Sequence, residues 1–109
     1  MCEAQANTMR QVKPGATCGD IFITHNQFMR AHGLPEERRL HSHAQGYALV
    51  QRPLVRPDET MRIAENMNFI AHPGYGNGRI FATVCDNFLI GPEGPSERLH
   101  KTPQEIIEL

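Results

Sequence analysis

The sequence predicts an α+β fold in which two helices precede a mainly antiparallel sheet. Two helix-forming stretches with recognisable ends occupy the first third of the chain. Short extended stretches separated by glycine and proline turns fill most of the remainder, a pattern typical of antiparallel strands. Because helices and strands are segregated along the chain rather than alternating, a parallel α/β sheet is not expected.

Both helices are predicted from helix formers and their end signals. The first covers residues 2–12, which contain no glycine or proline. The second begins after Thr17, an N-cap residue with Asp20 three positions on, and ends near His32, where Gly33 supplies a left-handed stop. Its predicted buried face consists of side chains that recur three and four positions apart: Ile21, Phe22, His25, Phe28, Met29 and His32.

The strands are predicted from short runs and from the turns between them. Residues 40–54 combine strand ends with a loop, and residues 56–59 form a turn. A short strand at 68–72 is stopped by a Pro-Gly pair, and a Gly-Asn-Gly sequence then predicts a hairpin that leads into residues 79–84. Extended chain continues through residues 85–90.

A short closing helix is predicted at residues 103–109. Thr102 stands at the N-cap position, Pro103 at the first helical position, and Glu105 closes a capping box. With this helix the chain is expected to form a single domain over residues 1–109. A start inside a helix-forming stretch is compatible both with a native start at Met1 and with a truncated version of something longer.

Composition and charge exclude several classes of function. The 11 basic residues are offset by 12 acidic ones and are scattered, so nucleic acid is not an expected partner. No apolar run is long enough to cross a membrane, and no secretion signal is present. Three cysteines without a paired spacing favour a reducing compartment, so we expect a cytoplasmic protein.

Histidine and cysteine supply the candidate chemistry. His41, His43, His72 and Cys85 each lie beside a predicted turn or strand edge, and imidazole and thiolate are ligands suited to zinc. Their spacing fits no closed zinc-finger pattern, so scattered core or surface histidines are the simpler interpretation. Cys85 is also a candidate nucleophile, but the sequence identifies no base to activate it, which favours an inert cysteine.

Four strings stand in series along the chain: His43-Ala44-Gln45-Gly46 followed by Pro53, residues 65–75, residues 79–99 and residues 101–106, with a preceding connection at residues 12–17. Together they resemble the second half of the creatinase, prolidase and methionine aminopeptidase family. The strings stand in the family's order and cover nearly the whole chain. The resemblance implies the C-terminal half of a pita-bread fold and descent from a hydrolase of the Xaa-Pro aminopeptidase type.

The resemblance also implies where a metal site is expected, and there the chain departs from the pattern. The family's metalloenzymes bind two ions through two aspartates of the first half and a histidine and two glutamates of the second. His43 stands at the histidine position, His72 and Cys85 replace the glutamates, and Val50 replaces a histidine that assists catalysis. No segment corresponds to the half that bears the aspartates.

Charge decides what these replacements mean. Two adjacent divalent ions need anionic oxygens to offset their repulsion. None of the four carboxylates in the family's metal site has a counterpart in this chain, so no dinuclear centre is expected. A metal-free pocket is favoured, since creatinase itself works without metal. The alternative is a single zinc held by His43, His72 and Cys85.

Three functions are compatible with these departures. One is a degenerate or truncated creatinase-like half-domain without metallopeptidase activity of its own. A second is a homodimer, or a complex with a complementing N-terminal half, in which His43 and His41 act as acid–base groups in a metal-free C–N bond hydrolysis or lyase reaction. The third is a non-catalytic module that binds a small molecule or short peptide.

Overall fold

The computed structural model describes residues 1–109 and contains two helices followed by seven strands. The elements are α1 Cys2–Met9, α2 Cys18–Ala31, β1 Ser42–Gln45, β2 Gln51–Leu54, β3 Asn68–Ala71, β4 Gly74–Gly76, β5 Phe81–Thr83, β6 Asp86–Gly91 and β7 Gly94–Arg98. Five strands form one antiparallel sheet in the order β2-β1-β3-β6-β7, and β4 and β5 pair in a separate small sheet. The predicted α+β class is confirmed.

The ends of α2 are confirmed and that of α1 is corrected. Thr17 caps α2 by accepting a hydrogen bond from the backbone N–H of Asp20, and Gly33 follows with a φ of 68°. The first helix ends at Met9 rather than at Val12. The backbone hydrogen bonds that follow run from Gln11 to Thr8 and from Val12 to Met9, so they span three residues instead of four, and Val12 is buried in the core. Neither helix combines the length and apolar content needed to cross a bilayer.

The core lies between the helices and one face of the five-stranded sheet. Ala44, Phe69 and Ala71 point towards the helices and pack in one cluster with Met9 and Ile21. Phe69 is fully buried, and burying a side chain of that size stabilises the fold by about 1.5–3 kcal/mol.

The opposite face of the sheet carries the polar residues and is called the site face below. Since side chains alternate along a strand, the residues between the core positions point away from the helices. The cross-strand register places them side by side in two rows, His43 with Ile70 and Asn87, and Gln45 with Asn68. His43 and Ile70 are buried, whereas Gln45, Asn68 and Asn87 are half-buried.

The hairpin predicted around Gly-Asn-Gly is confirmed, and a further one was not predicted. Strands β4 and β5 pair across residues 77–80, while Gly91 to Gly94 forms a second tight connection between β6 and β7. Gly94 has a φ of 145°, a backbone conformation that favours glycine. The glycine–proline segment therefore turns the chain back into the sheet rather than ending it.

The predicted closing helix at residues 103–109 is wrong. The segment has no regular secondary structure, and the side chains of Ile106, Ile107 and Leu109 are exposed. A helix of seven residues needs tertiary packing to be stable, and here its apolar side chains reach no core. Gln104 instead fastens the segment through hydrogen bonds of its amide to Gln5 and Asp86, each 2.7 Å long.

Candidate functional site

His43 and His72 meet on the site face. Their rings are 5.2 Å apart between centroids in an edge-to-face arrangement. The Nδ1 atom of His43 lies 2.9 Å from the carbonyl oxygen of Ala44, and because a carbonyl can only accept, Nδ1 carries the proton. Nε2 has no hydrogen-bond partner within the chain. Burial lowers the pKa of His72, and the neighbouring His43 lowers it further, so this ring is neutral at pH 7.

His41 does not belong to this pair. Its ring is fully buried, stacks on His25 at a centroid distance of 3.9 Å, and hydrogen-bonds Ser42 through Nδ1. Burial lowers the pKa of His41 to about 3, with a further contribution from His25. The structure thus places a neutral histidine in the interior, out of reach of a ligand on the site face.

Cys85 is exposed just before β6, and Val50 is half-exposed in the loop before β2. Partial burial raises the pKa of the Cys85 thiol, and the adjacent Asp86 carboxylate raises it further, so the thiolate form that binds zinc is disfavoured. No three His, Cys, Asp or Glu side chains in the chain converge as ligands of one ion. His43, His72 and Cys85 are therefore not brought together as a zinc set, and the residues present do not fit the family's metal pair.

A buried carboxylate, Glu37, was missed by the sequence analysis. Its oxygens accept hydrogen bonds from the backbone N–H of Gly74 and from Nε of Arg39, both at 2.8 Å, and the His25 ring lies 3.7 Å away. Burial alone would raise the pKa of Glu37, but His25, Gly74 and Arg39 together lower it to about 2. The side chains of Asn26 and Thr8 complete this network, through bonds to the Glu37 backbone and to His25.

A row of amide side chains on the site face was also missed. The Asn87 amide nitrogen donates to the side-chain oxygens of Gln45 at 2.6 Å and of Asn68 at 2.9 Å, and the Asn87 oxygen lies 3.0 Å from Nε2 of His100. Positions 45, 68 and 87 alternate with core positions in their strands. Alternation is the signal that would have grouped them.

The fold and the site face define a class of protein. Two helices cover one face of an antiparallel sheet whose other face carries polar side chains; this is half of a pita-bread fold. The sequence model of metallopeptidase family M24 matches residues 1–92. The chain belongs to this family.

Solved structures of peptidases share the fold. A prolidase from Pyrococcus horikoshii superimposes with a TM-score of 0.85 at 26% identity over 97% of this chain. The Xaa-Pro dipeptidase of Bacillus anthracis gives 0.86 at 22% over 99%, and the X-Pro aminopeptidase of Thermotoga maritima gives 0.82 at 23% over 95%.

This chain spans less than a third of each of those structures. It covers 31% of the Pyrococcus prolidase and of the Bacillus dipeptidase, and 30% of the Thermotoga aminopeptidase. No curated protein sequence matches it significantly. The likeness therefore concerns one portion of a larger peptidase.

Proposed function

We propose that this chain is a degenerate half of a creatinase- or Xaa-Pro-peptidase-type hydrolase domain, without metallopeptidase activity of its own. The observation that carries the proposal is the donor set of the site face. In the resemblance to the family's motifs, His43 matches the histidine ligand, and His72 and Cys85 match the two glutamates. No carboxylate among the described residues joins them in a cluster that would hold an ion.

Electrostatics supports this proposal. Two divalent cations held close together repel each other strongly, and the repulsion is offset in proteins by bridging carboxylates. Neutral imidazoles provide lone pairs but no negative charge, and a protonated thiol is a weak ligand that also provides no negative charge. The free energy of binding a second ion next to a first is therefore unfavourable on this face.

A metal-free role for His43 is the second candidate. Its Nε2 lone pair has no partner in the chain, so this atom is a candidate base towards a bound molecule. We propose that such a role requires a second half, supplied by another copy in a homodimer or by a complementing N-terminal half, because the chain spans under a third of its structural relatives. Three free cysteines favour the cytoplasm as the compartment.

Metal titration and peptide hydrolysis test the first proposal. The purified chain is titrated with Mn²⁺ and with Zn²⁺, and release of the residue preceding proline from an Xaa-Pro dipeptide is followed. We expect neither a two-ion stoichiometry nor metal-dependent release. The matched variants are His43→Ala, and His32→Ala as an exposed-histidine control. Two bound ions per chain and hydrolysis, both lost in His43→Ala and retained in His32→Ala, would overturn the proposal.

Molecular mass in solution tests the need for a second half. A dimer, or a complex with a larger chain that co-purifies, is expected where turnover is found. Turnover by a strict monomer, measured by light scattering under the assay conditions, contradicts it.

A further inference from the structure

Within the row of amide side chains on the site face, Asn87 is the hydrogen-bond donor and Gln45 and Asn68 are the acceptors. The Asn87 nitrogen donates both of its hydrogens, one to the side-chain oxygen of Gln45 and one to that of Asn68. Because these oxygens point at Asn87, the NH₂ groups of Gln45 and Asn68 point elsewhere. Neither NH₂ group has an acceptor anywhere in the chain. Since the two residues are direct cross-strand neighbours, four N–H donors without partners lie side by side on half-buried residues.

Both amides line one cavity of about 560 Å³. Arg52 is the charged residue of its wall, and no aspartate or glutamate lines it. Glu59 binds the Nε and Nη2 side of the Arg52 guanidinium, which leaves the Nη1 hydrogens without an acceptor in the chain. The polar groups of the wall thus favour an acceptor that carries negative charge.

The remaining wall is partly apolar. Tyr47, Met61 and Met67 contribute side chains to the cavity, and the first two are well exposed. Ordinary binding cavities combine such apolar walls with a few directed polar groups. The wall therefore suits a molecule that has an apolar body next to its charged end.

We propose that this cavity binds an apolar molecule ending in a carboxylate, whose oxygens accept hydrogen bonds from the amide groups of Gln45 and Asn68. A carboxylate has two oxygens in one plane, which matches two neighbouring NH₂ groups. A hydrogen bond to a charged group contributes more than one between neutral groups, so an acid binds more tightly than its amide. The proposal goes beyond the proposed function and requires no catalysis by the chain.

The test uses benzoate and its neutral isostere benzamide as probes. Each is titrated into the ¹⁵N-labelled chain while the side-chain NH₂ resonances of Gln45 and Asn68 are followed. We expect saturable shifts of both resonances with benzoate, and binding of benzamide weaker by about tenfold or more. Equal affinity for the two probes, or no saturable shift with benzoate, would overturn the proposal.

Isosteric variants separate the site from the fold. Gln45→Glu and Asn68→Asp keep the oxygen that accepts from Asn87 but replace the NH₂ donor by a negative charge. Benzoate affinity is expected to fall about tenfold or more in each. Gln27→Glu makes the same charge change on an exposed position of α2 and is expected to leave the affinity unchanged. A similar loss of benzoate affinity in all three variants would mean that the added negative charge alone weakens binding, and would refute the proposed site.

A second ligand pair distinguishes a peptide C-terminus from a small organic acid as the source of the carboxylate. The peptide Gly-Gly-Phe with a free C-terminus competes with benzoate if the cavity receives peptide ends, and its C-terminal amide does not. If neither competes, the cavity is specific for small acids. If the chain binds benzoate and also hydrolyses peptides in the presence of metal, only the proposed function is refuted. If it neither hydrolyses peptides nor binds benzoate, only this inference is refuted.

Discussion

Because the His41 ring is buried, we predict that a falling pH begins to destabilise the protein at pH values well above those at which carboxylates ordinarily titrate. Burial lowers the pKa of His41 from 6.5 to about 3. Below pH 6.5 the unfolded chain takes up a proton that the folded chain refuses, so stability falls as the pH drops through the window from 6.5 to 3. At pH ~5, roughly 1.5 units into that window, the expected loss from this residue is about 2 kcal/mol.

The variant His41→Phe removes the titrating group and retains an aromatic ring against His25. The free energy of unfolding, measured with urea at pH ~7.5 and pH ~5, should fall by about 2 kcal/mol more in the parent protein than in the variant. His72, whose pKa is also lowered, contributes equally to both proteins and cancels. Glu37 contributes little at pH ~5, because its window lies between 4.5 and about 2.

His32→Phe is the matched control, since it removes an exposed imidazole from the end of α2. It should show the same loss on acidification as the parent. The reasoning is refuted if His41→Phe loses as much stability between the two pH values as the parent does, because His41 would then titrate normally in the folded state.

Two further substitutions test the buried network and the core. Glu37→Gln should lower the free energy of unfolding by about 2 kcal/mol, since it weakens hydrogen bonds that involve a buried charge. The control Glu36→Gln, at an exposed ion pair with Arg30, should change the free energy of unfolding by no more than ~0.5 kcal/mol. Equal effects of the two substitutions in urea unfolding would contradict the role of burial. Phe69→Ala should cost about 3–5 kcal/mol by thermal or urea unfolding, and a loss below ~1 kcal/mol would mean that Phe69 is not the packed centre of the core.

Local signals predicted most of the fold. Thr17 and Gly33 bound α2 because capping and left-handed backbone are properties of single residues and their nearest neighbours. The Gly-Asn-Gly hairpin was predicted for the same reason. The helix at 103–109 was predicted from equally good local signals and does not form, because its stability would depend on packing that the segment lacks.

The site was less predictable, because it depends on which strands become neighbours. The family pattern led to His43 and His72, and the structure brings these two together. Spacing in the sequence does not distinguish His41 from His43, although one ring enters the core and the other the site face. The bond between Asn87 and Gln45 joins positions 42 residues apart, and Glu37 meets Gly74 across 37 residues. No local pattern encodes such contacts.

The position of Glu37 has a mechanical consequence for the small β4–β5 sheet. That hairpin shares no strand with the main sheet, and its first residue, Gly74, is bound by the Glu37 carboxylate. Arg39, held by the same carboxylate, lies 5.4 Å from the centre of the Phe81 ring. A single acidic side chain thus contributes both to anchoring the first residue of the hairpin and to positioning the cation that packs on its second strand, so the attachment of this hairpin depends on one buried charge.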